Sequence, residues 1–126
     1  MSIHKVLVVD DSKTELMFMT DLLQKNGFTV KTAENAEDAF RRLAEEKPDL
    51  ILMDIQLPEI SGLDITRKIK ADDEIKHIPV IAVTAFAMKD DEEKILAAGC
   101  EAYLSKPIAI DDFLATIRRY LEPALV

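Results

Sequence analysis

Leu50-Ile51-Leu52-Met53-Asp54-Ile55-Gln56-Leu57-Pro58 sets four consecutive apolar residues directly against an aspartate. An apolar run without polar alternation is what a strand covered on both faces requires. Leu7-Val8-Val9 repeats the pattern near the chain start and is likewise followed by acids, Asp10-Asp11. Working outward, strands are expected at Ile3–Val9, Thr29–Thr32, Leu50–Met53, Pro79–Val83 and Ala102–Leu104. Amphipathic stretches between and after them predict helices over Lys13–Asn26, Ala36–Glu46, Leu63–Lys70, Lys89–Ala97 and Ile110–Leu121. Strict β-α alternation implies a doubly wound α/β fold: a parallel sheet, right-handed crossovers, and helices on both faces.

The punctuation agrees with these boundaries. Gly27, Gly62 and Gly99 fall where helices should end or begin, and Pro48, Pro58, Pro79 and Pro107 fall in loops or at strand starts. Ser12-Lys13-Thr14-Glu15 reads as a capping box opening the first helix. With 126 residues and no repeat or low-complexity segment, one domain over 1–126 with no output domain is expected.

A net charge of -8 repels nucleic-acid backbones and anionic membrane surfaces, so direct binding to either is not expected. The same charge suits a divalent cation or a basic protein partner. The apolar run from Ile78 to Met88 is broken by Pro79 and Thr84 and is too short to span a bilayer. No signal-peptide pattern opens the chain, and a single Cys100 permits no internal disulfide, so a soluble protein in a reducing compartment, the cytoplasm, is expected. Cys100 itself reads as a small packed residue ahead of a strand, and His4 and His77 as surface residues without catalytic company.

Ligands of open α/β sheets bind beyond the carboxyl ends of the strands. Asp10-Asp11, Asp54, Thr84 and Lys106 stand at four of those ends, so their side chains are expected to converge. Clustered carboxylates raise one another's pKa unless a cation joins them, and a hard-oxygen set of this kind suits Mg²⁺. Each member has a plainer reading. Asp10-Asp11 can simply favour a helix N-terminus; Asp54 can cap the Pro58–Gly62 turn; Thr84 can be an ordinary strand threonine; Lys106 can be a solvated turn lysine. Taken together, they match a site in which a carboxylate, Asp54, acts as nucleophile toward phosphorus beside a metal and a cation. A cis bond before Pro107 would help aim Lys106.

Val8-Val9-Asp10-Asp11-Ser12, Met53-Asp54-Ile55-Gln56-Leu57-Pro58…Gly62, Val83-Thr84-Ala85 and Ser105-Lys106-Pro107 resemble the receiver domains of two-component response regulators across essentially the whole chain. Pro48–Leu63, Pro79–Lys89 and Gly99–Ile108 are especially similar to single-domain cell-cycle regulators; Asp11-Ser12-Lys13-Thr14-Glu15 looks more like regulators of twitching motility or chemotaxis. The resemblance implies a flavodoxin-like fold with strand order 2-1-3-4-5. It also implies that Asp54 is the phosphoacceptor and that Asp11, Asp54 and the backbone carbonyl of Gln56 ligate Mg²⁺, with Asp10 holding a coordinated water. Lys106 would pair with the phosphoryl group, and Thr84 and Tyr103 would be switch residues. The implied partners are a histidine kinase or histidine phosphotransfer protein and a downstream protein target, with the chain a monomer or weak dimer. Such a chain promotes only its own phosphorylation and dephosphorylation.

Two surfaces are candidates for partner docking. Leu16, Met19 and Leu23 suffice to bury the first helix, which leaves Thr14, Glu15, Phe18 and Leu22 as a second face near the acids. Phe86 and Met88 follow Thr84 in an expected loop and either tuck under the next helix or meet a partner. An aspartate-based phosphatase is the nearest enzymatic competitor, but it needs a second aspartate two residues after the nucleophile. Ser12 and Gln56 occupy those places. A flavodoxin-like binding module without phosphorylation is the other alternative, and the full polar set argues against it.

Overall fold

The structure is a computed structural model that describes residues 4–57, 59–85 and 89–121. Ten elements alternate along the chain: β1 (Lys5–Val9), α1 (Lys13–Lys25), β2 (Thr29–Ala33), α2 (Ala36–Glu45), β3 (Leu50–Asp54), α3 (Gly62–Lys70), β4 (Val80–Thr84), α4 (Lys89–Ala97), β5 (Ala102–Ser105) and α5 (Ile110–Leu121). All strand pairs are parallel, in the order β2-β1-β3-β4-β5. The flavodoxin-like doubly wound fold expected from the sequence is the fold observed.

Side chains of a strand alternate between faces, and here both faces are covered. Leu7, Val9, Ile51, Met53, Val80 and Ala82 face α2, α3 and α4, meeting Ala39, Leu43, Ile65, Ile69 and Ile95. Val6, Val8, Leu50, Leu52, Ile81 and Val83 face α1 and α5, meeting Leu16, Met19, Leu23, Phe113 and Ile117. This explains why the central strands lack polar alternation: β3 and β4 are buried at every position. β2, at the sheet edge, shows alternation instead. The first helix buries Leu16, Met19 and Leu23, each contributing about 1.5–3 kcal/mol of apolar burial. It ends where Gly27, at φ 88, lets its own N–H and that of Phe28 turn back to the carbonyls of Gln24 and Leu23.

Boundaries move by a residue or two from the sequence reading. β2 reaches Ala33, β3 Asp54, β4 Thr84 and β5 Ser105, while α1 and α2 stop one residue earlier than expected. Asp54 and Thr84 are therefore the last residues of strands, not the first of loops. The sheet hydrogen bonding continues past them, with Ile55 N–H donating to the Val83 carbonyl (3.2 Å) and Lys106 N–H to the Thr84 carbonyl (2.8 Å). This ties the site residues to the rigid sheet. No helix among the described residues is long and apolar enough to cross a membrane.

Candidate functional site at the carboxyl edge of the sheet

Each acid is placed by the strand before it. Asp10 directly follows β1, where its N–H donates to the Ala33 carbonyl of β2 (3.0 Å), and the residue is fully buried. Asp54 ends β3 and is only 3% exposed. In both, one carboxylate oxygen is clamped by the backbone two residues on. Ser12 N–H donates to Asp10 Oδ1 (2.8 Å), and Gln56 N–H donates to Asp54 Oδ1 (3.0 Å). The other oxygen of each faces Lys106, whose Nζ lies 3.6 Å from both Asp10 Oδ2 and Asp54 Oδ2. The Lys106–Pro107 peptide is cis.

The loop after Asp54 folds back tightly. Gly62 N–H donates to the Ile55 carbonyl (2.9 Å), and Ser61 caps α3 by accepting from Leu63 N–H (3.1 Å). A Cβ on residue 62 would stand 2.1 Å from the Asp54 carbonyl oxygen, so only glycine fits. Glu59 makes the turn with φ 68, a conformation uncommon outside glycine.

One member of the acidic cluster was not anticipated in that role. Glu15 joins Asp10 and Asp54 in a group whose carboxylate oxygens lie within 4.8 Å of one another. Its Oε2 receives the shortest contact made by Lys106 Nζ, 2.6 Å. The expected capping box is half formed: Ser12 Oγ accepts from Glu15 N–H (3.3 Å). The return contact, from the Glu15 side chain to Ser12 N–H, is replaced by Asp10, which takes that N–H. The spacing alone signals that Glu15 lies in the helix's first turn beside the acids, but not which way it points. Asp11, expected as a metal ligand, is exposed and lies outside this group of three.

Thr84 is buried at the end of β4 (1% exposed) and pairs in register with Ser105. Tyr103 lies opposite Ala82, on the same face of the sheet as Thr84 and half-buried against the α2–α4 side of the core. The Tyr103 hydroxyl meets the Glu92 carboxylate of α4; desolvation, that charge and the hydrogen bond together raise its pKa. Gln56 contributes its N–H to Asp54 while its side chain is exposed. On α1, Thr14 and Phe18 are exposed, Phe18 at 45%, whereas Leu22 packs partly against the α1–α5 side of the core. Phe86 and Met88 lie outside the described residues. Cys100 is buried with its Sγ 3.9 Å from Thr66 Oγ1, and burial pushes its thiol up to about 11, which leaves it protonated and unreactive.

The electrostatics follow from these placements. Burial pushes Asp10 up to about 8; the adjoining Glu15 carboxyl and the Asp54 charge add to the rise, against the Ser12 N–H and Lys106. Burial also raises Asp54, opposed by the Gln56 N–H and Lys106. Glu15 is lowered, first by its hydrogen bond with Asp10 and then by Lys106, although burial works the other way. For Lys106, burial disfavours the charge, but the hydrogen bond to Glu15 and the charges of Asp54 and Asp10 outweigh it and raise its pKa. Asp10 Oδ2 is buried with no N–H donor in hydrogen-bond reach, Lys106 Nζ standing 3.6 Å away; only the Glu15 carboxyl, sharing a proton, can bond it. Three carboxylates, one of them with a buried oxygen that no N–H reaches, fit a divalent ion such as Mg²⁺, which would relieve the cost of the buried charges.

A doubly wound sheet with this Asp-Asp-Lys edge is the architecture of a receiver domain, and the chain belongs to the response regulator receiver domain family, whose pattern matches residues 6–118. The polar-differentiation response regulator DivK of Brucella anthropi is 51% identical over 119 residues, covering 94% of this chain and 97% of that protein. Among solved structures, the chemotaxis protein CheY4 of Vibrio cholerae superposes with a TM-score of 0.89 at 25% identity, covering 94% of this chain and 99% of that one. The receiver domain of a sensor histidine kinase from Pseudomonas aeruginosa gives 0.86 at 30% identity over 95% and 98% of the two chains. That structure carries a magnesium ion coordinated in its active-site cleft.

Proposed function

We propose that Asp54 accepts a phosphoryl group from a phosphohistidine, carried by a histidine kinase or a histidine phosphotransfer protein. The reaction is Mg²⁺-dependent, and the phosphorylated domain signals in the cytoplasm through controlled binding of a downstream protein. The observation that carries this reading is the matched pair Asp10 and Asp54. Each is buried and held at Oδ1 by a backbone N–H, and each turns Oδ2 toward one ammonium. An anchored carboxylate whose free oxygen faces a cation is a positioned nucleophile for an anionic electrophile.

In the transfer, Asp54 Oδ2 forms the new O–P bond while the P–N bond of phosphohistidine breaks and its electron pair returns to the imidazole. Asp54, Asp10, Asp11 and the Gln56 carbonyl would hold the metal, which supplies charge neutralisation on the phosphoryl oxygens. Glu15 stands beside this set on the α1 side, paired with Lys106. Lys106 pairs with the phosphoryl group once it is in place.

The aspartyl phosphate brings about two negative charges to the sheet edge. Thr84 donates its hydroxyl to a phosphoryl oxygen, and the Tyr103 ring, on the same face, moves inward into the space released. Withdrawal of Tyr103 from Glu92 couples that motion to α4, which makes the α4–β5 region the two-state element. The exposed Phe18 and Thr14, next to the acids on α1, receive the phosphodonor helix.

Intact mass after incubation with acetyl phosphate and Mg²⁺ tests the chemistry. A hydroxylamine-labile phosphoryl adduct is expected on the wild type and not on Asp54→Asn. An unmodified wild type, or an adduct that persists in Asp54→Asn, overturns the assignment.

A further inference from the structure

We infer that Glu15 is the resting counter-ion of Lys106 and sets the rate at which the site is phosphorylated, by holding this lysine away from the incoming phosphoryl group. The inference rests on the reading of Asp54 as phosphoacceptor and adds a positioning residue to it.

Three observations converge. Lys106 Nζ has three carboxylates within reach, yet among the described residues its hydrogen bond to a carboxylate goes to Glu15 at 2.6 Å, a full ångström shorter than its 3.6 Å contacts with Asp10 and Asp54. Charge-assisted hydrogen bonds of this length are among the strong ones; the Lys106 side chain is 17% exposed and that of Glu15 39%, so water screens the pair in part. Second, Glu15 is free to serve Lys106 because its local partner is taken. At the third position of a helix opened by Ser12, a glutamate ordinarily reaches back to the cap N–H; here that N–H donates to Asp10 Oδ1. Third, α1 and Lys106 are brought together only by the fold, ninety-one residues apart in the chain. The contact therefore reports on the assembled site and not on local helix chemistry.

When acetyl phosphate donates, Asp54 Oδ2 forms its bond to phosphorus, the P–O bond to acetate breaks, and acetate leaves with that electron pair. The phosphoryl oxygens require a cation, and Lys106 supplies it only by exchanging Glu15 for phosphoryl. Glu15 thus stabilises the unphosphorylated state selectively, and its carboxylate, left behind, repels the new dianion.

The test is a double-mutant cycle on the phosphorylation rate, read by intact mass with acetyl phosphate and Mg²⁺. Glu15→Gln is expected to raise the initial rate about two- to fivefold, the scale of one partly exposed ion pair. In a Lys106→Met background, the same substitution is expected to change the rate less than twofold, because the group through which Glu15 acts is gone. Equal rates for wild type and Glu15→Gln overturn the inference. So does an acceleration that survives in Lys106→Met, which would make Glu15 a general field effect, or a slower Glu15→Gln, which would make it a helper of the reaction. If no protein in the set gains a phosphoryl group on Asp54, the underlying reading fails and not merely this one. The Lys106 Nζ resonance gives a readout without chemistry: it is expected to shift in Glu15→Gln and stay in place in Asp11→Asn.

Discussion

The α-carbon of Gly62 packs so closely on the carbonyl of Asp54 that an added Cβ would lie 2.1 Å from that oxygen and 2.9 Å from the carbonyl carbon. Both obstacles are backbone, so no side-chain rotation relieves the clash. Gly62→Ala must push the β3–α3 loop off the end of β3. It is expected to cost about 1–3 kcal/mol of stability, as overpacking does, and to reduce phosphorylation of Asp54. Urea denaturation and the acetyl-phosphate rate check the two effects; a variant with wild-type values in both would contradict the packing described.

Asp10 gives the metal-free protein a pH dependence of defined sign. Its folded pKa, about 8, is raised above the ordinary value of 3.8, so between these values the folded state binds a proton that the unfolded state does not. The stabilising contribution of this proton is complete below the unfolded value and is lost as pH rises through the folded one. With EDTA present, the urea midpoint is expected to fall between pH 5 and about 8 in the wild type, and to fall less in Asp10→Asn. A wild-type midpoint that rises over that interval would refute the assignment.

Because Asp10 must shed its proton to serve a cation, Mg²⁺ should bind with proton release below pH 8 and tighten as the pH approaches that value. Calorimetry in two buffers of different ionisation enthalpy measures the proton count directly. No proton release at pH 6.5 would mean that Asp10 is already ionised.

Thr84→Ala removes a hydroxyl from the buried end of β4 without touching Asp54. Phosphorylation by acetyl phosphate is expected to stay within about threefold of wild type, while phosphate-dependent partner binding weakens about tenfold, the scale of one lost charge-assisted hydrogen bond. Titration of the phosphorylated protein against its partner separates the two; equal partner affinity in both proteins would uncouple Thr84 from the output.

Phe18 stands 45% exposed on α1, close to Glu15 and the acidic edge. Phe18→Ala is expected to slow transfer from a phosphohistidine protein about tenfold and to leave transfer from acetyl phosphate unchanged, since only the protein donor needs a surface. Slowing of both donors alike would place the effect inside the site.

Much of this molecule is legible from one dimension. Unbroken apolar runs such as Leu50-Ile51-Leu52-Met53 announce strands covered on both faces, because a strand with a wet face must alternate. The acids and the lysine at strand ends announce an edge where they meet, because parallel strands all finish at the same side of the sheet. That much follows from periods of two and 3.6 residues and from the handedness of the crossovers. The residue-level wiring of the edge does not. Asp10 and Asp11 are neighbours of one type, yet Asp10 is buried in the cluster and Asp11 faces solvent. Backbone direction after β1 separates them, and that direction is set by the bond from Asp10 N–H to Ala33 in a strand more than twenty residues away. Glu15 likewise carries a local motif that predicts a bond to its own helix cap, and a distant lysine overrides it. Local chemistry offers each side chain several partners of comparable energy; only the packed tertiary structure, by bringing one of them to 2.6 Å in a part-buried place, decides among them.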